Sequence, residues 1–206
     1  MIALRTALGS LLVTATAISV SAQQQPNIQD LLQAFSQGGQ GAAVELVDFR
    51  ELKKLMPEEI EELKRSGLSG EKTSGPLGNF SVVTVEATYA GEDGATLALK
   101  VTDLGAMPTI GAMAQFGWAN AEVDRETDEL REYTTEIQGH RGYVKYNRKY
   151  RTGNTSIMAD GRLTFEIRGR QVSKEIMDAA AEALPVKKML ALVPGAGAEE
   201  GDGDTP

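Results

Sequence analysis

Two runs of alternating apolar and polar residues, joined by a short glycine-bounded turn, constrain this chain more than any other feature of its sequence. The apolar positions recur every second residue: Val83, Val85, Ala87 and Tyr89, then Leu97, Leu99 and Val101. The turn between them, at 91–94, reads Gly-Glu-Asp-Gly. A period of two is that of a β-strand with one buried face, so these runs predict an antiparallel hairpin.

Further strand signals follow in the C-terminal half. Residues 133–137 alternate, the stretch from Tyr143 to Arg151 is predicted as one strand, and 155–158 and 163–167 complete the set. Asp160-Gly161 is a strong signal for a tight hairpin turn. Because the strands follow one another without alternating helices, the sheet is expected to be antiparallel.

Helix signals stand on both sides of these strands. Asp48 is a good N-cap for 49–52, the acidic stretch 58–65 is helix-like, and Ser173 caps a final apolar stripe. A further stripe begins at Pro108 and carries Trp118, which we expect to be buried against the sheet. The sequence therefore predicts an α+β fold, with an antiparallel sheet of about six to seven strands packed by two to three helices.

The chain divides into four parts. Residues 1–22 carry Arg5, an apolar run and the small-x-small pattern Val20-Ser21-Ala22, which together are typical of a secretory signal peptide. Residues 23–43 form a Gln/Gly-rich appendage whose short amphipathic helix lies either on the domain or on a partner. Residues 44–193 form the α+β domain, and 194–206 read as a disordered acidic tail.

This pattern predicts an exported protein, periplasmic or secreted, with no transmembrane segment in the mature chain. The 206 residues include no cysteine and one histidine, His140. The composition excludes a thiolate nucleophile, a disulfide and a site built from several histidines. We expect no cofactor, no metal site and no catalytic residue: Ser69-Gly-Glu-Lys72 lacks the context of a serine nucleophile, and His140 between glycines indicates an exposed turn.

One segment departs from the acidic balance of the chain, whose net charge is -8. Between Gly139 and Arg151 there are five Lys or Arg residues, three interleaved tyrosines and no acid. The candidate face for an anionic partner consists of these residues: Arg141, Tyr143, Lys145, Lys149 and Arg151. The pattern favours a solvated sheet edge or face, and the alternative is a face for an anionic envelope component or an acidic protein. Export and net charge argue against nucleic acid.

The stretch from Val47 to Lys53, followed by Met-Pro-Glu-Glu at 56–59, resembles the opening of a set of uncharacterised exported bacterial proteins. The turn Gly-His-Arg-Gly-Tyr at 139–143 is similar to a late element of the same proteins. The order of elements also resembles the PsbP/Mog1-type α/β/α sandwich. The resemblance implies a fold and an exported, binding or accessory role, and it carries no catalytic residues across.

Three functions are therefore compatible with the sequence. The first is an exported, non-enzymatic binding or accessory module of the cell envelope. The alternative is a carboxylate-dependent hydrolase acting on envelope glycans, which needs a pocket with two carboxylates about 5–10 Å apart. A structural subunit that assembles through the N-terminal helix is a third possibility.

The first prediction concerns processing. Because Val20-Ser21-Ala22 matches a signal-peptidase pattern, exported material is expected to begin at Gln23. N-terminal sequencing or intact mass of secreted or periplasmic protein measures this. Recovery of the chain with an intact Met1 in the membrane fraction would contradict the assignment.

Overall fold

The computed structural model describes residues 44–74, 81–105 and 117–194. These residues form one antiparallel sheet of nine strands in the order β1-β2-β3-β4-β9-β8-β7-β6-β5. The strands are β1 Glu59–Ile60, β2 Leu63–Ser74, β3 Ser81–Ala90, β4 Thr96–Asp103, β5 Asp124–Glu126, β6 Leu130–Ile137, β7 His140–Asn147, β8 Thr152–Ala159 and β9 Leu163–Arg170.

Three short α-helices accompany the sheet in this part of the chain: α1 Phe49–Lys54, α2 Lys174–Ala183 and α3 Val186–Leu190. The side chain of Asp48 caps α1 by accepting a hydrogen bond from the backbone N–H of Arg50 at 2.9 Å. Ser173 caps α2 through the N–H of Ile176 at 3.3 Å. Both N-caps predicted from the sequence are confirmed.

The prediction of an α+β fold is wrong. The described part of the chain is strand-rich, with nine strands rather than six to seven and only short α-helices. The acidic stretch 58–65 was expected to be helical and instead contributes β1 and the start of β2. The i, i+3 spacing of Ile60 and Leu63 has another cause. A two-residue turn with Glu61 at φ 49° pairs these two residues directly across a hairpin. Both side chains are buried, which outweighs the weak helix preference of the intervening acids.

The hairpins predicted from the alternating runs are confirmed. β3 pairs with β4 antiparallel, and their inward residues from Val83 to Val101 are almost wholly buried. β8 and β9 pair around Asp160 and Gly161, which both adopt positive φ. Turns of this kind match the twist of the two strands and therefore fix their register.

All three helices belong to the single core that covers one face of the sheet. Helix α2 approaches β8 and β9 closely because Gly153 and Gly169 face each other across these two strands. A Cβ on Gly169 would lie 2.5 Å from the Met177 sulfur. A Cβ on Gly153 would lie 3.0 Å from the terminal methyl group of Met177. The absence of these side chains lets Met177 pack against the backbone of the sheet.

A buried carboxylate closes one end of this core. Asp103, the last residue of β4, is fully buried. It accepts hydrogen bonds from the Arg162 guanidinium at 2.8 and 3.0 Å and from the backbone N–H groups of Val47 and Gly105 at 2.9 Å. Burial by itself raises the pKa of this carboxyl, but the four hydrogen bonds and the Arg162 charge together lower it below its ordinary value.

Some sequence expectations fall outside the described residues. They are the signal peptide, the Gln/Gly-rich appendage, most of the helix beginning at Pro108 and the acidic tail beyond Pro194. None of the helices in the described ranges is long and apolar enough to cross a bilayer.

The second prediction concerns Asp103. Asp103→Asn should destabilise the fold by about 3–5 kcal/mol at pH 7, because Arg162 would lose its buried counter-charge. The stabilisation comes from a depressed pKa, so it is present above the unfolded value of about 3.9 and lost as pH falls through the folded value. Urea unfolding at pH 7 and pH 3 measures the difference between variant and wild type.

The matched control is Asp128→Asn, a change at an exposed position between β5 and β6. It should shift stability by less than about 0.5 kcal/mol. A loss for Asp103→Asn that is small at pH 7, or that stays constant down to pH 3, would contradict the role of the carboxylate.

Candidate functional site

The second face of the sheet carries mostly polar side chains, and we call it the polar face. It is defined by three rows of hydrogen-bonded neighbours that cross the strands: Thr84, Thr102 and Thr164; Glu86, Lys100, Glu166, Ser156 and Tyr143; and Arg168, Asn154, Lys145 and Glu132. The same alternation that sends apolar residues to the helices places these side chains on the opposite side.

Trp118 lies against the polar face. It belongs to a 3₁₀ helix, Gly117–Asn120, and its indole stacks on Tyr143 with ring centroids 5.8 Å apart and an interplanar angle of 23°. Trp118 was expected to be buried against the sheet, and its ring does pack on the sheet, but on the polar face and only partly buried. Such offset stacking holds the two rings in a fixed relation.

A hydrogen bond to Glu132 fixes the hydroxyl group of Tyr143. The phenol donates a 2.5 Å hydrogen bond to one oxygen of this carboxylate, which is 9% exposed. The other carboxylate oxygen lies 3.3 Å from the Arg125 guanidinium and 3.9 Å from the Lys145 ammonium. Burial raises the pKa of Tyr143, and the bond to Glu132 raises it further, so the phenol remains a donor across the physiological range.

A cavity of about 540 Å³ opens on this face beside Trp118 and Tyr143. Hydroxyl groups contribute much of its lining, and two of their residues, Ser156 and Thr164, are each only 7% exposed. Asn154 also lines it and donates a long bond of 3.4 Å from its amide nitrogen to the Ser156 hydroxyl. Its amide oxygen is buried without a hydrogen-bond partner, which happens to no other side-chain atom in the described residues.

Charged side chains also line the cavity, and they differ in whether they form ion pairs. Arg168 binds Glu166 through contacts of 2.8 and 2.7 Å, so this pair is internally neutralised. Lys100 is half-buried between Glu86 and Glu166 in its cross-sheet row. Its ammonium nevertheless makes no ion pair within 4 Å to any residue of the described ranges. Within the described residues, the lining therefore includes one cation without an ion pair, and its cross-strand neighbour Glu86 is a carboxylate that also has none there.

The basic segment does not form a single face. The strand predicted from Tyr143 to Arg151 is wrong at its end: β7 stops at Asn147, and β8 begins at Thr152. An asparagine-based turn, in which Asn147 accepts the N–H of Tyr150 at 3.0 Å, reverses the chain, and Arg151 adopts φ 49°. Arg141, Tyr143 and Lys145 lie on the polar face, whereas Lys149 and Arg151 lie in the turn.

Acidic side chains of β5 and of the turn between β5 and β6 form ion pairs with two basic residues of this segment. Lys149 pairs with Glu129 at 2.8 Å, and Arg148 pairs with Glu126 at 2.5 Å. Arg141 donates a 2.6 Å hydrogen bond to the carbonyl of Ala121. Lys149 and Arg151 share a separate cavity with Glu62, Glu92 and Asp93, so their surroundings are acidic.

The residues considered for catalysis are far from forming a reactive group. Ser69 and Lys72 lie within strand β2, opposite Glu86 and Val83, rather than at a helix start. His140 is the first residue of β7, and 19% of its side chain is exposed beside Asp160, so it is not the open turn residue that we expected. In residues 44–74, 81–105 and 117–194, no three potential ligands cluster around a possible metal position.

The volume of the cavity does not by itself distinguish it. Three other cavities of the described residues have volumes of about 440–590 Å³. The polar-face cavity differs from them in its chemistry, because it combines the only tryptophan, an unpartnered buried acceptor and an unpaired lysine. Sequence reasoning assigned Tyr143 to a site and missed Lys100 and Ser156, which lie in predicted strands, and Asn154, which directly precedes the predicted strand 155–158.

No family model, curated protein or solved structure matches this chain. The resemblance to PsbP/Mog1-type proteins therefore stays an expectation.

The third prediction concerns the aromatic stack. Tyr143→Ala should shift the fluorescence emission of Trp118 to longer wavelength, because the indole would lose its stacking partner and gain water. Tyr143→Phe keeps the ring and should leave the emission unchanged, while losing about 1.5–3 kcal/mol from the hydrogen bond to the Glu132 carboxylate. Fluorescence and urea unfolding measure the two effects.

Tyr150→Ala is the control, since this residue is 62% exposed in the turn after β7. It should change neither the emission nor the stability noticeably. Equal emission spectra for wild type and Tyr143→Ala would contradict the stacked arrangement.

Proposed function

We propose that this protein is an exported, non-enzymatic binding module of the cell envelope, and that its polar face binds an anionic envelope component. One observation carries the proposal: the face opposite the helices keeps a cavity in which Trp118 and Tyr143 stand beside hydroxyl groups and the unpaired Lys100. Sites for small ligands commonly combine aromatic surface with a few convergent polar groups.

A binding role is favoured over hydrolysis by the state of the nearby carboxylates. Glu166 is engaged by Arg168, and Glu132 is engaged by Tyr143, Arg125 and Lys145. A glycosidase needs a pair of carboxyl groups that are free to act on the scissile bond, and both of these are engaged by other side chains.

The proposed face for an anionic partner contains fewer residues than the sequence alone predicted. Arg141, Tyr143 and Lys145 stay in the proposal, because they lie on the polar face with the cavity. Lys149 and Arg151 are given no role, since they lie in a turn surrounded by acidic residues. Export remains part of the proposal and depends on the signal-peptide pattern in residues 1–22.

The fourth prediction compares two double variants that each remove two positive charges. Arg141→Ser/Lys145→Ser should weaken the apparent affinity for the isolated envelope fraction of the producing cells, measured by co-sedimentation at low salt, by about thirtyfold, since each of the two lost contacts to an anion is worth about 1 kcal/mol. Lys149→Ser/Arg151→Ser is the matched control and should behave as wild type. Wild-type binding should weaken in 0.5 M salt, because exposed charges are screened.

Two results would overturn the proposal. One is wild-type protein that stays in the supernatant at low salt. The other is equal loss of binding in both double variants, which would indicate attraction by overall charge rather than by the polar face. Release of reducing sugar ends from the envelope fraction by wild-type protein would favour the hydrolase alternative instead.

A further inference from the structure

We infer that the ligand of the polar face is a saccharide that carries an acidic group, and that it binds in the cavity between Lys100, Asn154 and Trp118. This inference rests on the proposed function, because it names the chemical class of ligand for the same face. Three features of the cavity each require a different part of such a ligand.

The first feature is the half-buried ammonium of Lys100. It lines the cavity without an ion pair within 4 Å in the described residues, while the only carboxylate of the lining, Glu166, is bound by Arg168. A partly desolvated cation binds an anion more strongly than an exposed one, because the local dielectric constant is lower. A cation without an ion pair in the described residues fits a ligand that carries a negative charge at this point.

The second feature is the set of neutral hydrogen-bonding groups. The amide oxygen of Asn154 is buried and receives no hydrogen bond, and a buried polar atom in this state lowers stability. This oxygen is shielded even from water, so a hydroxyl group of the ligand supplies the missing donor only when the Asn154 side chain rotates toward the cavity. The hydroxyl residues Ser156, Thr164 and Thr102 line the same cavity, and each can both donate and accept. A polyhydroxylated ligand matches this lining, whereas a simple acidic peptide offers fewer hydroxyl groups.

The third feature is the indole of Trp118, which lines the cavity while stacking on Tyr143. A sugar ring is amphipathic: its C–H groups form an apolar surface and its hydroxyl groups surround the edge. Aromatic side chains provide apolar area together with a polar edge, and they suit ligands of this kind. The cavity volume of about 540 Å³ lies within the range of about 300–1,000 Å³ typical of small-ligand sites.

The experiment uses three probes with the full chain in isothermal titration at low salt. They are an oligogalacturonate, a neutral galacto-oligosaccharide of the same length, and polyglutamate. We expect the acidic sugar to bind about tenfold more tightly than the neutral one, and polyglutamate not to bind measurably.

The variants separate the three features. Lys100→Gln should weaken oligogalacturonate binding about tenfold and leave the neutral sugar within about twofold, while Lys100→Arg restores the acidic sugar. Asn154→Ala and Trp118→Ala should weaken both sugars. Lys187→Gln, at an exposed position in α3, is the matched control and should change neither. Circular dichroism establishes that each variant is folded.

The outcomes distinguish this inference from the proposed function. Equal binding of both sugars with no effect of Lys100→Gln would overturn the acidic group and leave a saccharide-binding module. Binding of polyglutamate with no binding of either sugar would overturn the saccharide class and leave an anion-binding face. Absence of binding for all three probes, combined with failure to sediment with the envelope fraction, would overturn both.

Discussion

One hydrogen-bonded sheet runs through nine antiparallel strands, with one register shift between Arg65 and Gly67 of β2, and the rest of the structure depends on this pairing. In such a sheet the register decides the side on which every residue lies, because neighbouring side chains alternate between the faces. When Val85, Val101 and Phe165 align as one buried row, Lys100, Glu166 and Ser156 are placed together on the other side. The core and the candidate site are therefore two consequences of the same pairing.

The buried carboxylate of Asp103 links this register to the chain segment that precedes α1. Its hydrogen bonds join the end of β4, the turn between β8 and β9 through Arg162, and the backbone at Val47. A buried charge is stable in this position because the carboxylate accepts four hydrogen bonds, two of them from the Arg162 guanidinium. The sequence contained a signal for it: Asp103 continues the inward series of Leu97, Leu99 and Val101, and an inward aspartate requires a partner. The identity of that partner required the fold.

The hairpins were predictable because their alternation is long and their turns contain glycine, as at Gly91 and Gly161. Three other features were not predictable, for different physical reasons. Ile60 and Leu63 have a spacing that a helix turn and a tight hairpin share. Strand β5 has no apolar residue, and ion pairs such as that of Arg131 with Asp124 accompany its pairing to β6. The end of β7 is marked by one turn-forming residue, Asn147, which stands among lysine, arginine and tyrosine residues that are not typical turn formers.

The candidate site was predictable only in part. Tyr143 was identified because it belongs to an unusual basic segment, and that segment proved to be divided between a strand and a turn. Lys100 and Asn154 carried no such signal. Each is one polar residue in an outward position, and outward polar residues are what any half-buried strand requires. Two absences among the described residues distinguish them. Lys100 has no ion pair within 4 Å, and the Asn154 amide oxygen has no hydrogen-bond donor.

These missing contacts bear on whether the polar face is only a solvated surface. On such a surface, water would reach the hydroxyl and amide groups and satisfy them. Ser156 and Thr164 are instead only 7% exposed, and the Asn154 oxygen is shielded without a partner. Stability alone would favour an apolar residue or a satisfied network at that position, since an unmet buried acceptor lowers stability. The shielded Asn154 oxygen therefore distinguishes this part of the polar face from a surface whose polar groups are all satisfied by water.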